Sequence, residues 1–228
     1  EKGKKKRVFR GGYRLADRPD YTFPLLAWHP GGRILAIMAE QKGEIRLFFY
    51  DRDEKKLRMQ RLVNFQKVLD FSYSDDGSML VMSAVQRGRP DIFVFNIASG
   101  SHQQITRDNY DDLNPRFINF SKDIIFSSNR PGDTIRFDAD FRPGRQNYSH
   151  DLFLYSYSAG SNVLKRLTST PGEDELRPMP YGDGYFSYLS DRNGVMNRFL
   201  ARYDSAIAYI DTVTHYRYFT TTYTVNNY

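Results

Sequence analysis

The stretch Val68-Leu-Asp-Phe-Ser-Tyr73-Ser-Asp-Asp-Gly77 is followed by Met79-Leu-Val-Met-Ser83 and then by Asp91-Ile-Phe-Val-Phe95. Three short runs rich in aromatic and aliphatic residues are thus separated by polar and Gly-containing segments, and the more polar run His102-Gln-Gln-Ile-Thr106 closes the unit. Aromatic and β-branched residues favour pleated strands, whereas Asp and Gly between such runs favour turns. The pattern predicts four antiparallel strands that are joined in sequence order.

This unit occurs four times along the chain. Trp28 and Tyr73 occupy equivalent positions 45 residues apart, Phe117 follows Tyr73 after 44 residues, and a fourth copy begins near Arg177. Repeated units of four antiparallel strands are typical of propeller blades. We therefore predict an all-β protein, a β-propeller of four-stranded antiparallel blades. About four blades are visible, and we expect them to be part of a larger propeller of six to eight blades.

The turns between copies predict the boundaries of the segments. Residues 1–22 are expected to form an outer strand of a preceding or closing blade plus a linker. The four blade repeats are predicted at residues 23–66, 67–113, 114–175 and 176–228. The third contains an insertion at about 132–149, because the equivalent joint of the fourth repeat takes only a few residues. The fourth is expected to end in a crossing to a next blade.

The turn motifs resemble a known repeat. Ser74-Asp-Asp-Gly77 precedes a strand and Ser190-Asp-Arg-Asn-Gly194 follows one, and together they resemble the WD40-like PD40 repeat of the TolB-like β-propellers. The resemblance covers residues 23–204 and is weaker where His29-Pro-Gly-Gly32 or Asn119-Phe-Ser-Lys122 replaces the first motif. It implies a propeller like those of large TolB-like proteins of Gram-negative envelopes. The implied location is the periplasm or the outer membrane surface.

The positive charge of the chain is confined to one end. There are 33 Lys and Arg against 27 Asp and Glu, and residues 1–18 account for the whole excess of six. Lys4-Lys-Lys-Arg7 is interpreted as an exposed edge, where basic side chains discourage pairing with other chains. The aromatic residues occupy strand positions and do not alternate with these lysines, as a base-stacking surface requires. We expect no nucleic-acid partner.

The residue pattern gives no support to catalysis or to a cofactor. The chain has no Cys, which excludes disulfides and thiolate metal sites. It contains no Gly-x-Ser-x-Gly nucleophile turn, no phosphate-binding Gly-rich loop and no His-Glu-x-x-His zinc motif. The carboxylate pairs lack the spacing of a Ca²⁺ loop. We predict that the chain is not an enzyme and holds no cofactor or metal.

The leading hypothesis is a non-catalytic protein-binding or scaffolding propeller in a bacterial cell-envelope assembly, with other envelope proteins as partners. No apolar run approaches the roughly 18 residues of a membrane helix, so we expect no membrane-spanning segment. Loops at one propeller face and the insertion are predicted to contact the partner, since long loops in compact domains are usually functional. The predicted partner-binding residues are Arg130, Asp133, Phe137, Phe141, Arg142, Arg145, Tyr148, Asp191 and Arg192.

Two alternatives remain open at this stage. Similar repeats form the gating propellers of serine peptidases, so the chain is alternatively a substrate-gating propeller whose catalytic domain lies outside it. A weaker alternative is a carbohydrate- or peptidoglycan-binding propeller, because exposed Tyr and Trp rings can stack on sugars. The fold alone does not decide between these functions.

Overall fold

Each of the four repeats forms one antiparallel sheet. The computed structural model of the protein describes residues 7–9, 20–135, 149–182, 184–210 and 213–225. In every sheet, neighbouring strands are consecutive in sequence. We name the sheets blades 1 to 4 in chain order. The prediction of an all-β fold made of four-stranded antiparallel propeller blades is confirmed.

The strands are numbered in chain order, four to a blade. Blade 1 comprises β1 (Leu25–Trp28), β2 (Ile34–Gln41), β3 (Glu44–Asp51) and β4 (Lys56–Arg61). Blade 2 comprises β5 (Lys67–Tyr73), β6 (Met79–Val85), β7 (Pro90–Asn96) and β8 (His102–Gln104). Blade 3 comprises β9 (Asp112–Ile118), β10 (Asp123–Ser128), β11 (Asp151–Tyr155) and β12 (Lys165–Arg166). Blade 4 comprises β13 (Glu175–Gly182), β14 (Tyr185–Ser190), β15 (Asn197–Ile210) and β16 (Thr214–Thr224).

Side chains along the second strand of a middle blade alternate between its two neighbours. In β6, Leu80 and Met82 pack with blade 1, whereas Val81 between them packs with blade 3. In β10, Phe126 packs with blade 2 and Ile125 with blade 4. Because the strand pleat sends successive side chains to opposite faces, a sheet covered on both faces needs apolar residues at every position. This requirement explains the unbroken apolar runs of the sequence.

Three apolar clusters fill the spaces between consecutive blades. Phe93 and Phe153, for example, are 0% exposed, and full burial of a side chain of this size contributes about 1.5–3 kcal/mol to stability. The first strands of consecutive blades also contact one another, β1 with β5, β5 with β9 and β9 with β13. The four blades therefore form an arc of a propeller with their first strands together.

The meander gives each blade two ends. The turns after β1, β5, β9 and β13, which join first and second strands, lie at what we call the first-turn end. The turns after β2, β6, β10 and β14 lie at the opposite, second-turn end. Within the described part of the chain, no helix is long and apolar enough to cross a membrane.

The outer strand of blade 4 differs from the other three. β4, β8 and β12 have six, three and two residues, whereas β16 has eleven. β15 pairs with β14 only over residues 197–202, and its remaining residues pair with β16 alone. Blade 4 therefore continues into a two-stranded ribbon that projects past β14 at the first-turn end.

The structure describes the two ends of the chain only in part, and the expectations for them stay predictions. Residues 7–9 are not in a strand, and Phe9 packs on Phe48 with ring centroids 4.8 Å apart. β16 stays paired with β15 as far as Thr224. Most of the 1–22 segment and residues 226–228 lie outside the described part of the chain.

Candidate functional site

The predicted partner-binding residues fall into two groups. Four of them, Arg130, Asp133, Asp191 and Arg192, follow β10 and β14 and lie at the second-turn end. The other five lie outside the described residues: Phe137, Phe141, Arg142, Arg145 and Tyr148.

Arg130 is part of the interior. Its side chain is 1% exposed, and its guanidinium donates to Asp108 at 3.0 Å and to both carboxylate oxygens of Asp112 at 2.8 Å. It also lies over the rings of Phe126 and Phe153, at 5.8 and 5.7 Å from their centroids. A side chain enclosed in this way cannot touch a partner. The structure corrects the expectation that Arg130 lies in a contact surface, because the buried carboxylates of its own fold hold it.

Blade 4 repeats this arrangement in a more open form. The Arg192 guanidinium donates to Ser190 and to Glu175, both at 3.4 Å, and its side chain is 24% exposed. The Asp191 carboxylate accepts the Asp174 N–H at 2.8 Å and so ties this turn to the link between blades 3 and 4. The Ser-Asx-Arg turns therefore hold consecutive blades together.

Three carboxylates meet beside Arg130. Oxygens of Asp91, Asp108 and Asp112 lie within 4.8 Å of one another. Burial raises the pKa of Asp91 to about 7, and the charges of Asp112 and Asp108 add to this rise. Burial and Asp112 also raise the pKa of Asp108 to about 6, against the opposing charge of Arg130. Because the guanidinium already supplies the counter-charge, we interpret the cluster as an ion-pair network that joins blades 2 and 3.

Among the described residues that were predicted to bind a partner, Asp133 is the one that is fully exposed. Its carbonyl accepts the Leu164 N–H at 2.6 Å, and its carboxylate accepts the Thr134 hydroxyl at 3.3 Å. Its carboxylate has no ion-pair partner among the described residues. Whether it contacts a partner stays a prediction.

Sequence reasoning missed an exposed apolar surface, which lies at the first-turn end between blades 3 and 4. A groove of about 480 Å³ separates the turn after β9 from the turn after β13. Phe120 lines it and is 89% exposed, and Met179 and Tyr181 of the adjoining strand β13, which do not line it, are 45% and 70% exposed. The groove is lined by Asp75, Phe117, Ile118, Asn119, Phe120, Pro180, Gly182, Gly184 and Tyr185.

The turn that presents Phe120 has an unusual backbone. Asn119, Phe120 and Ser121 have φ angles of 56°, 56° and 60°, in the left-handed region that favours glycine. Ser121 accepts the Asp75 N–H at 2.8 Å, and the Asn119 amide donates to Asp123 at 2.8 Å. Strained backbone of this kind persists where surrounding contacts hold it, and it clusters at functional sites. The sequence signal for this unusual turn is that the third repeat has Asn119-Phe-Ser-Lys122 where the second has Ser74-Asp-Asp-Gly77.

A second, smaller groove of about 220 Å³ lies at the same end between blades 1 and 2. The rings of His29 and Tyr73 meet edge to face there, with centroids 5.2 Å apart. His29 Nδ1 accepts the Gly31 N–H at 3.0 Å, which places its remaining proton on Nε2. The Tyr73 hydroxyl is buried with no hydrogen-bond partner among the described residues, and burial raises its pKa.

Comparison with known proteins shows the fold. The sequence matches no protein-family model and no curated protein. The crystal structure of TolB from Acinetobacter baumannii superposes with a TM-score of 0.58 at 19% identity, over 78% of this chain and 39% of that one. A structure assigned as TolB from Agrobacterium tumefaciens gives 0.59 at 17% identity, over 78% and 57%. Puromycin hydrolase gives 0.55 at 10% identity, over 78% and 27%.

At such low sequence identity, the similarity to these structures shows a shared fold and nothing more. The chain spans between 27% and 57% of the three proteins that it resembles. They include TolB as well as a hydrolase, so the comparison assigns no activity. The four blades correspond to part of a TolB-like β-propeller.

Proposed function

We propose that this chain is a non-catalytic, protein-binding part of a β-propeller that serves a bacterial cell-envelope assembly. The groove at the first-turn end carries the proposal, because Phe120 exposes its ring there and Met179 and Tyr181 expose apolar surface on the adjoining strand β13. Grouped exposed apolar side chains mark interaction sites, and aromatic residues and Met are enriched at protein interfaces. The resemblance of the turn motifs to those of large envelope proteins supports the periplasm or the outer membrane surface as the location.

Two histidines show no catalytic arrangement among the described residues. His150 Nδ1 lies 3.0 Å from Asp174, the pairing that orients the base of a hydrolase triad. Its Nε2 is buried and has no hydrogen-bond partner among the described residues, so none of those residues completes a triad there. His29 is hydrogen-bonded to the backbone of its own turn.

The test is recovery of partners from a Gram-negative envelope extract with the purified chain as bait. Phe120→Ser removes the exposed ring that lines the groove, and Tyr181→Ser removes exposed apolar surface on the adjoining strand β13. Val195→Ser, at a residue 54% exposed in the turn after β14 at the second-turn end, is the matched control. We expect the wild type and the control to recover the same protein and both Phe120→Ser and Tyr181→Ser to lose it. Identical recovery by all four chains would contradict the proposal.

A further inference from the structure

The outer edge of blade 4 lacks the protection that the edge of blade 1 has. Edge strands usually are short or carry charges that discourage pairing with other chains. β4 has six residues and includes Lys56, Arg58 and Arg61. β16 ends its sheet with eleven residues, which include a single Arg and no Lys, Asp, Glu or Pro. This edge is a separate surface from the Phe120 groove.

The ribbon exposes aromatic surface along that edge. Tyr216, Tyr218, Phe219 and Tyr223 are 54%, 55%, 37% and 52% exposed. A two-stranded ribbon is marginally stable in water, and a third strand adds both backbone bonds and side-chain contacts. The edge therefore gains stability from an added strand.

The backbone groups available for such a strand follow from the register. The Val225 N–H donates to the Arg198 carbonyl at 3.2 Å. Donors alternate between the two sides of an antiparallel strand. The N–H groups of Tyr218, Thr220 and Thr222 therefore point away from β15, toward the open side.

Two cations beside the edge have no carboxylate partner among the described residues. Lys165 Nζ lies 5.4 and 5.5 Å from the ring centroids of Tyr203 and Tyr218, which stack on each other. They line a groove of about 400 Å³ between β12 and the ribbon. Arg217 lies on the other face of β16, with its guanidinium 6.0 Å from the Phe219 ring. A strand added here would meet one positive charge on each face.

We propose that β16 accepts an extended acidic segment of a partner protein as a fifth strand of blade 4. Main-chain bonds to the outward N–H groups would supply affinity, and acidic side chains at neighbouring positions, which point to opposite faces, would select Lys165 on one face and Arg217 on the other. A second copy of this chain fits less well, because β16 carries no acidic residue to offer its counterpart.

The probes are two fluorescein-labelled octapeptides, one that repeats Val-Val-Glu-Glu and one that repeats Val-Val-Lys-Lys, so that each presents charged side chains on both faces of an added strand. Each is titrated into the intact chain and followed by fluorescence anisotropy at low salt. We expect the Glu peptide to bind at least about tenfold more tightly. Thr220→Pro removes one outward N–H, and we expect it to weaken Glu-peptide binding about tenfold, whereas Thr220→Ala retains it.

Since proline can disturb the ribbon, a second variant changes charge alone. Lys165→Ala combined with Arg217→Ala is expected to abolish the preference for the Glu peptide. No binding of the Glu peptide, equal binding of both peptides, or full binding by Thr220→Pro would overturn the proposal. Dimerisation in sedimentation velocity that Thr220→Pro abolishes would assign the edge to a second copy and would also overturn it. None of these residues lines the Phe120 groove, so the two proposals fail separately.

Discussion

Arg130 and Arg192 follow the same Ser-Asx turn in consecutive blades, but water reaches only one of them. The exposed fractions of their side chains are 1% and 24%. Removing one partner of a buried ion pair leaves an uncompensated charge in a medium that solvates it poorly. Loss of the arginine is therefore expected to lower the free energy of unfolding more in blade 3 than in blade 4.

Arg130→Ala leaves the carboxylates of Asp108 and Asp112 buried without their positively charged partner. Loss of one partner of a buried pair costs about 3–5 kcal/mol, whereas loss of a partly exposed hydrogen bond to a charge costs about 1.5–3 kcal/mol. We expect urea unfolding at pH 7, followed by circular dichroism, to show the larger loss for Arg130→Ala than for Arg192→Ala. Equal losses would contradict the assignment of Arg130 to the interior.

Asp91 makes stability depend on pH in the opposite sense to an ion-paired carboxylate. Its pKa rises from an ordinary 3.8 to about 7 in the folded chain, so the folded state binds the proton more strongly. Its contribution is most favourable below pH 4 and declines as the pH rises to 7. We expect Asp91→Asn to gain stability relative to the wild type between pH 4.5 and pH 8, measured by urea unfolding. A difference that is constant with pH would contradict this origin.

At the scale of elements, the turns at the first-turn end determine how closely blades approach. Gly77 has a φ of 73°, and a Cβ there would lie 1.9 Å from His29 Nε2 of blade 1. Gly43 has a similar φ of 78° with nothing within 4 Å of its Cβ position. Left-handed backbone costs an alanine about 1–2 kcal/mol at either position. Only Gly77→Ala also disturbs the contact between blades.

We expect Gly77→Ala to lower the melting temperature more than Gly43→Ala does. Thermal unfolding followed by circular dichroism measures both variants under the same conditions. Equal melting temperatures would show that the approach of His29 to Gly77 does not limit the packing of blades 1 and 2.

The turn at Phe120 has a strained backbone that lowers the stability of the fold, and it places an apolar ring at the surface. Phe120 is 89% exposed and has a left-handed backbone, in which asparagine is better tolerated. We expect Phe120→Asn to raise the free energy of unfolding by about 0.5–1 kcal/mol and to reduce partner recovery. Urea unfolding and the bait experiment measure the two effects. A variant that is less stable than the wild type would contradict the strain at this turn.

The strands and the two kinds of turn could be predicted because their signals are local. Short unbroken apolar runs and Gly-containing turns place β6 and β7 close to their observed bounds. The burial of Arg130 could not be predicted, since it depends on Asp108 and Asp112, whose approach is set by the packing of β9 and β10. The length of β16 was also missed, because its Thr- and Tyr-rich sequence suits both a strand and the start of a connection.

At the scale of the whole molecule, the first-turn end and the second-turn end of the blades carry different features. The second-turn end holds the buried Arg130 network and its more open counterpart at Arg192, which join consecutive blades. The first-turn end holds the grooves, the exposed apolar residues and the projecting ribbon. The net charge of +6 is confined to residues 1–18, so binding at the Phe120 groove is expected to depend on apolar contact and only weakly on salt.

Site-specific photo-crosslinking tests this account most directly. A photoreactive phenylalanine analogue is placed at position 120 or, as the control, at position 195 in the turn after β14, and the chain is irradiated in envelope extract. We predict a discrete crosslinked protein from position 120 that is absent from position 195 and persists in 0.5 M NaCl. The same products from both positions, or none from position 120, would contradict protein binding at the first-turn end.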